Sequence, residues 1–242
     1  TGFRNAKLSE LIRYDLTGPK ELFGVNLKGC TENKNFDVGF GLKGDLNLAK
    51  KVISIDKKKT GLRSFFNIFW VLPQMSHLLQ GKPEDRRVFL DLMVSATDVS
   101  YKTKLLDYKK LKNERLRILK NLEISKNDKW LDIIEKKMSE VGVVICDSRR
   151  IFLDTLNKCF MKIDDQIPIL NLKLNGTADT MLMVKPALLV EELIIRELKK
   201  NRLKDSISGR TNFSINKTDL LVYEKESNKE GKNFSTGEQK II

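Results

Sequence analysis

The chain has 242 residues, in which 45 lysines and arginines against 32 acidic residues give a net charge of +13. Its 40% hydrophobic and 32% charged residues exclude a disordered or fibrous chain and predict a sizeable core. No apolar run approaches the ~18 residues that a membrane span needs. Since no signal peptide opens the chain, we expect a cytoplasmic protein without a membrane segment.

The positive charge suits a polyanion such as nucleic acid. Most of it comes from lysine, which also accumulates through compositional bias, so that charge alone leaves the partner open. The cysteines Cys30, Cys146 and Cys159 form no C-x-x-C pair, and His77 is the one histidine. This pattern argues against a disulfide framework and against a metal site, and each cysteine is predicted to be a small buried residue.

The first third of the chain is predicted to be mostly strand. A short helix is expected near residues 7–14, and a hairpin turn at 44–47. Clusters of glycine, asparagine, aspartate and lysine separate four apolar runs that are typical of strands. These runs are residues 22–27, 36–42, 51–56 and 66–72.

From residue 83 the pattern becomes helical. Pro83-Glu84-Asp85 is a favourable helix start, and apolar residues continue on one face to about residue 115. A second helix of about thirty residues is expected from Asn127, with an apolar stripe from Trp130 to Cys159, so that the two helices form an antiparallel arm.

The last third is predicted to return to strands. We expect strands at 167–175 and 212–223 and a polar loop at 227–232. A third helix is expected at 186–201. The residues on its apolar face are Leu189, Leu193, Ile194 and Leu198. Because a capped helix begins only at residue 235, the chain is also expected to be a fragment of a longer protein.

Gly39, Gly41 and Gly44 match the G-x-G-x-x-G pattern of dinucleotide-binding loops. That function requires the motif between a strand and a helix. Here the motif lies inside an expected hairpin, and we therefore predict no cofactor site. No G-x-x-x-x-G-K-[ST] loop is present in the sequence.

The most informative motif is Ser-Thr-Gly-Glu-Gln-Lys at residues 235–240. Ser235 and Glu238 have the spacing of a capping box, which predicts the start of a helix. A second interpretation adds an exposed phosphate site, because backbone N–H groups at a helix N-terminus face anions and Gly237 allows close approach. The spacing alone leaves both interpretations open.

A second motif follows an expected strand. It runs from Trp70 through Gln74 to a segment at 81–91 that contains Arg86 and Arg87. A solvated arginine pair on a strand–loop–helix connection is the simpler interpretation, and a nucleic-acid contact is the alternative.

Together these motifs resemble the RecF family, bacterial recombinational-repair ATPases of the ABC/SMC-like group. Residues 81–91 resemble its G-x-x-x-x-R-R-x-F-L-D segment, and residues 235–240 resemble its S-T-G-E-Q-K signature. Weaker matches are Phe3-Arg4 with residues 10–13, residues 72–75, and residues 108–120, so that the resemblance extends over nearly the whole chain.

The chain departs from the family pattern in two places. Leu116 stands where the family has asparagine. The family's G-P-H-R-x-D stretch corresponds to residues 214–219, where Asp219 and the basic Lys217 remain. The family's Walker A and Walker B motifs lie outside the matched region, so we expect no ATP hydrolysis by this chain alone.

The resemblance implies an α/β fold, namely an ABC-type, SMC-like ATPase head with an inserted helical arm lobe. Residues 1–82 would form the first part of the head, 83–205 the arm, and 206–242 the return to the head. It further implies a homodimer that sandwiches ATP and Mg²⁺ and binds single-stranded and duplex DNA at gaps. RecR, RecO and RecA are the partners it implies.

The same resemblance assigns roles to residues. Gln74 would lie near Mg²⁺ and the attacking water as the catalytic residue. The signature would contact ATP across the dimer, through Ser235, Thr236, Gly237, Glu238, Gln239 and Lys240. Arg86 and Arg87 remain candidates for DNA contact or for structural roles.

Two alternatives stay open. One is a non-enzymatic helical module that binds nucleic acid or a partner protein. The other is an SMC-like head of the RecN type, although such heads carry much longer coiled-coil insertions.

Overall fold

In a computed structural model, the structure describes residues 10, 14–16, 18–19, 23–31, 34–43, 50–59, 77–120, 128–162 and 168–241. The chain divides into two units, Thr1–Phe69 and Trp70–Ile242. The domain boundaries expected at residues 82 and 205 stay predictions.

The first unit contains an antiparallel sheet. Two short strands, β1 (Tyr14–Asp15) and β2 (Gly18–Pro19), pair with each other. Strands β3 (Phe23–Thr31), β4 (Lys34–Lys43), β5 (Lys50–Ile55) and β6 (Lys58–Lys59) form a four-stranded sheet in sequence order. Val38, Leu42 and Ile55 are its buried apolar residues.

This sheet confirms three of the strands expected from the sequence. Gly39 and Gly41 lie inside β4, opposite Ser54 and Val52, which confirms that the glycine motif does not join a strand to a helix. The helix expected at 7–14 is wrong at its end, because Tyr14 pairs with Pro19 in a strand. The expected strand at 66–72 and the turn at 44–47 lie outside the described residues.

The second unit is built on two long helices. After α1 (Pro83–Thr97), helix α2 (Tyr101–Lys120) runs antiparallel to α3 (Asp128–Phe160). Tyr101 contacts Arg149, Tyr108 packs on Gly142, and Arg115 binds Glu135. The residue numbers of these contacts rise along α2 and fall along α3, as they do between antiparallel helices. A Cβ on Gly142 would lie 3.4 Å from the Tyr108 ring, so the missing side chain permits this close packing. The antiparallel helical pair is therefore confirmed.

A hairpin and short helices complete the second unit. Strands β7 (Leu170–Asn175) and β8 (Asp219–Glu224) pair antiparallel, with Leu172 opposite Val222. Between them lie α4 (Thr177–Leu182), α5 (Ala187–Lys200) and α6 (Arg202–Ser208), and α7 (Thr236–Ile241) follows β8. One continuous buried cluster, from Leu90 to Phe234, connects these elements.

Several sequence predictions need correction here. The helix from Pro83 is broken at Asp98, whose carboxylate accepts hydrogen bonds from the Ser100 backbone N–H and hydroxyl at 2.8 and 2.7 Å. Such local bonds compete with helical ones. The strand expected at 212–223 begins only at Asp219, because the Ser214 hydroxyl caps a 3₁₀ turn at Ile215–Lys217.

Burial also differs from expectation at several positions. In α5 the buried face contains Val190 instead of Leu189, which is 50% exposed. Trp130 and Cys159, the two ends of the α3 stripe, are exposed. Cys30 is exposed as well, so that only Cys146 is the buried cysteine that the sequence predicted. Burial raises the pKa of the Cys146 thiol well above its usual value.

Candidate functional site

The segment that carries the signature is anchored to β8. Tyr223 bridges to Glu230, and a 3₁₀ turn at Gly231–Asn233 brings the buried Phe234 against the core. The next residue, Ser235, stands directly before α7. The signature is thus held by the same hairpin strand that packs on α1.

Ser235 and Glu238 form the capping box that their spacing predicts. The Glu238 backbone N–H donates to Ser235 Oγ at 3.3 Å, and the Ser235 N–H donates to Glu238 Oε2 at 2.5 Å. Lys229 Nζ pairs with Glu238 Oε2 at 3.2 Å and lies 5.3 Å from the centre of the Phe234 ring. These contacts fix the first turn of α7 on the turn that follows β8.

The Glu238 carboxylate is stabilised in its charged form. Its pKa lies below the usual glutamate value because it accepts hydrogen bonds from the Ser235 backbone and side chain and from Lys229. Since the folded-state pKa is lowered, this contribution to the cap is present at neutral pH and is lost as the pH falls through that lowered value.

The first three signature residues face solvent. Ser235, Thr236 and Gly237 are exposed, and a Cβ on Gly237 would lie 3.9 Å from Ser235 Oγ. Gln239 lies on the opposite side: it is 8% exposed, and its side-chain amide donates to the Phe234 carbonyl at 2.8 Å. The Lys240 side chain lies outside the described residues.

This arrangement offers particular donors to an anion. Ser235 Oγ accepts the Glu238 N–H in the cap, and its hydroxyl hydrogen can donate either to the Glu238 carboxylate or to a ligand. Among the described residues, and apart from the two chain neighbours and the helix backbone, Ser235 Oγ is the one atom within 4 Å of the position that a Gly237 Cβ would take. The exposed donors therefore come from Ser235, Thr236 and the Gly237 backbone. The buried Gln239 side chain instead stabilises the start of α7 through its hydrogen bond to the Phe234 carbonyl.

Arg86 links the segment at 81–91 to the start of β8. Its Nε and Nη2 bind the two carboxylate oxygens of Asp219, each at 2.8 Å, and its Nη1 donates to the carbonyls of Leu79 and Gly81. The Arg86 side chain is 12% exposed. Its hydrogen bond with Asp219 raises the pKa of Arg86. The structure thus gives Arg86 a bidentate ion pair that joins α1 to β8.

Arg87 is less tightly held. Its Nη1 lies 3.3 Å from the Thr218 carbonyl oxygen, and the side chain is half-buried. Burial, together with the nearby charge of Arg149, lowers the pKa of Arg87. Of the two candidates for DNA contact, Arg87 retains more freedom to reach a ligand.

Asp91, the last residue of the segment at 81–91, is also committed to the fold. Arg149 Nε and Nη2 bind its two oxygens at 2.9 and 3.1 Å, and the Tyr101 hydroxyl donates to Oδ1 at 2.5 Å. Burial opposes the charge on Arg149, but the Asp91 carboxylate outweighs it and raises the pKa of Arg149. This cluster joins α1, α2 and α3.

Arg115 is the centre of a buried ion cluster that the sequence pattern did not indicate. Arg115 binds Glu135 at 2.8 Å and Asp205 at 2.7 Å, and all three side chains are fully buried. Its third donor reaches the Leu198 carbonyl at 2.8 Å. Arg115 was part of the matched segment at 108–120, but nothing in the spacing indicated carboxylates from two other helices.

The divergent segment at 214–219 lies beside a polar pocket of about 290 Å³. Lys217, Asn175, Phe213 and Ser214 are among its lining residues. Next to it, Asp179 accepts a hydrogen bond from Thr218 Oγ1 at 2.5 Å, while its Oδ1 is buried and has no hydrogen-bond partner among the described residues. The proposed catalytic residue, Gln74, lies outside the described residues.

Within the part of the chain that the structure describes, no group of three histidine, cysteine, aspartate or glutamate residues could hold a metal ion. Among those same residues, no helix is both long and apolar enough to cross a membrane.

Comparison with known proteins gives a consistent result. The chain is 30% identical over 246 aligned positions to the DNA replication and repair protein RecF of Brucella suis, and the match covers all of this chain and 63% of that protein. RecF of Rickettsia typhi is 33% identical over 244 positions, and the match covers all of this chain and 65% of that protein. The chain is related to RecF. It spans slightly less than two thirds of the length of these RecF proteins.

Solved structures agree on the fold. A structure of the recombination mediator protein RecF with ATP in the RecFOR pathway has a TM-score of 0.74 and 24% identity, and the match covers 98% of this chain and 63% of that one. A second RecF structure, described as RecF-ATPrS, has a TM-score of 0.72 and 23% identity, and the match covers 98% of this chain and 64% of that one. No family model matches the chain. The chain therefore shares the fold of the matched part of these RecF structures, with mixed helix and sheet.

Proposed function

We propose that this RecF-like chain acts in ATP-dependent DNA binding during recombinational repair and replication. The observation that carries the proposal is similarity to RecF along the entire chain, at 30% identity with the Brucella suis protein. A neighbouring RecF structure is described with ATP, which supports nucleotide binding here. Binding of single-stranded and duplex DNA at gaps, and help in loading a recombinase, complete the proposal.

The proposed mechanism uses ATP to hold a homodimer together. Ser235, Thr236 and Gly237 of one subunit would donate hydrogen bonds to the phosphates held by the other subunit. Their exposure supports this role, since a contact between subunits requires an open surface. Glu238 and Gln239 would shape the helix start, and Lys240 would add positive charge.

Gln74 is proposed to orient the attacking water near Mg²⁺, which neutralises developing phosphate charge in such reactions when bound. Hydrolysis would then release the dimer. RecR, RecO and RecA are the proposed partners, in keeping with the RecFOR pathway named for the neighbouring structures.

The test is dimerisation of the full-length gene product. Ser235→Arg places a bulky side chain where the phosphate contact is proposed, and it should abolish ATP-dependent dimers in analytical ultracentrifugation while the monomer stays folded. Ser227→Arg is the matched control, because Ser227 is equally exposed and lies in the preceding turn. That control should dimerise normally.

A second variant separates capping from phosphate binding. Ser235→Asp keeps a good N-cap residue but brings a negative charge to the phosphates, so it should also prevent dimers. Unchanged ATP-dependent dimerisation in both Ser235 variants would exclude the proposed contact across the dimer. DNA binding without any effect of nucleotide would favour the alternative of a non-enzymatic helical module.

A further inference from the structure

Helix α2 holds an unusual share of the positive charge. Its 20 residues contain eight lysines and arginines but only Asp107 and Glu114 as acids, a net charge of +6. By contrast, α3 contains six of each sign and α5 three of each. This one helix thus accounts for almost half of the net charge of +13.

The most exposed charged residues of α2 are all positive. Asp107 is half-buried and pairs with Lys110 at 3.6 Å, while Glu114 accepts a hydrogen bond from Trp130 at 3.3 Å. The exposed charged residues of α2 are Lys102, Lys109, Lys110, Arg117 and Lys120. Apart from Lys110, none of them forms an ion pair with a residue that the structure describes.

These cations share one side of the helix. At 3.6 residues per turn, Lys102, Lys109 and Lys120 point within about 20° of one direction. The helix rises about 27 Å from Lys102 to Lys120. Phosphates along one strand of duplex DNA advance about 3.4 Å per nucleotide, so this face is as long as about eight base pairs.

Neighbouring residues extend the positive surface toward α1. Lys112 is half-buried, and burial together with the charges of Lys109 and Arg87 lowers its pKa. Like charges held together in this way repel each other. A bound anion would relieve that repulsion.

We propose that the solvent-facing side of α2, formed by Lys102, Lys109, Arg117 and Lys120, binds the phosphate backbone of DNA. The identity of the polyanion rests on the proposed function. The contacts are to phosphate and carry no sequence preference. A lipid surface fits less well, because Leu106 is the only large apolar residue exposed on this helix.

The experiment compares two charge-matched double variants of the full-length gene product. Lys102→Gln with Lys109→Gln removes two charges from the proposed surface. Lys136→Gln with Lys137→Gln removes two charges from exposed positions of α3. Glutamine has nearly the helix propensity of lysine, so both variants should fold, which circular dichroism can verify.

Affinity for a labelled gapped duplex is measured by fluorescence anisotropy over a range of salt concentrations. The logarithm of affinity falls with the logarithm of salt concentration by about 0.9 for each phosphate contact. Loss of two contacts should make the slope of the α2 variant shallower by about 1.8, while the α3 variant keeps the slope of the unaltered protein.

Equal slopes for the two variants would overturn this inference and leave the proposed function standing. No DNA binding by the unaltered protein at any salt concentration would overturn both. Binding of the unaltered protein to phosphatidylserine vesicles but not to DNA, lost in the α2 variant, would assign the surface to a membrane and would also overturn the inference.

Discussion

Three arginines organise the second unit by joining elements that are distant in sequence. Arg86, Arg115 and Arg149 each bind a carboxylate and at least one backbone carbonyl. The planar guanidinium has five N–H donors, so a single side chain can satisfy several buried acceptors. Lysine cannot reproduce this geometry, and its substitution at any of the three positions is therefore not conservative.

The Arg115 cluster leads to a stability prediction. Arg115→Met leaves Asp205 fully buried without its cation, while Glu135 keeps its ion pair with Arg202, and it should lower the free energy of unfolding by about 3–5 kcal/mol. Urea denaturation followed by circular dichroism measures the change. Arg117→Met, the same substitution at an exposed position of α2, should change stability by no more than about 0.5 kcal/mol. Equal effects of the two substitutions would contradict the prediction.

At this scale the sequence predicts the capping residues but not the buried ion pairs. Ser235 and Glu238 are three residues apart, and a capping box depends on local spacing alone. Arg115 and Asp205 are 90 residues apart. Their pairing depends on how α2 and α6 pack together, which no local pattern contains.

Among the elements, the connection between α1 and β8 helps to link the site to the rest of the second unit. Arg86 on α1 and Asp219 at the start of β8 form its central ion pair, with side chains only 12% and 15% exposed. Because β8 leads directly into the signature segment, this pair helps to set the position of α7 relative to α1.

A double-mutant cycle tests that connection. Arg86→Ala, Asp219→Ala and the double variant should reveal a coupling energy of about 0.5–3 kcal/mol in urea unfolding. A matched cycle on Arg150 and Asp147, an exposed pair within α3, should give at most about 0.5 kcal/mol. A coupling for Arg86 and Asp219 no larger than that of the surface pair would show that α1 and β8 are held by packing alone.

The sequence predicts most elements of the second unit but misjudges where some of them end. The start of α1 at Pro83 was predicted because proline and acidic residues are local signals. The break at Asp98 was missed because the apolar helical pattern continues past it, although its hydrogen bonds to Ser100 are local. The same reasoning applies to Ser214, whose hydroxyl favours a 3₁₀ turn over the predicted strand.

On the scale of the whole molecule, the main hydrophobic core belongs to the second unit. Its buried residues run from Leu90 to Phe234, and the partly buried residues packed against it begin at Leu79. The charge-bearing helices and the signature segment therefore share one core. The general resemblance to RecF was recognisable from motifs, whereas the extent of this core depends on contacts between α3, α5 and the hairpin.

A truncation tests whether this core is self-sufficient. Residues 70–242 expressed alone should unfold in a single cooperative transition in urea and keep the helical circular dichroism signal, because the core cluster lies within them. The complete chain, treated in parallel, serves as the reference. A gradual transition without a baseline would show that residues 1–69 are needed to complete the core.

The uneven distribution of charge on α2 has a kinetic consequence. A helix with net charge +6 on one side of the second unit makes its electrostatic potential strongly asymmetric. A protein with this asymmetry rotates in the electric field of a polyanion before the two surfaces touch. More of the encounters then begin in a binding-competent orientation, which increases the association rate. At physiological ionic strength this orienting torque acts only over a distance of about 8 Å, so the alignment of α2 with a DNA strand would take place in the last nanometre of the approach.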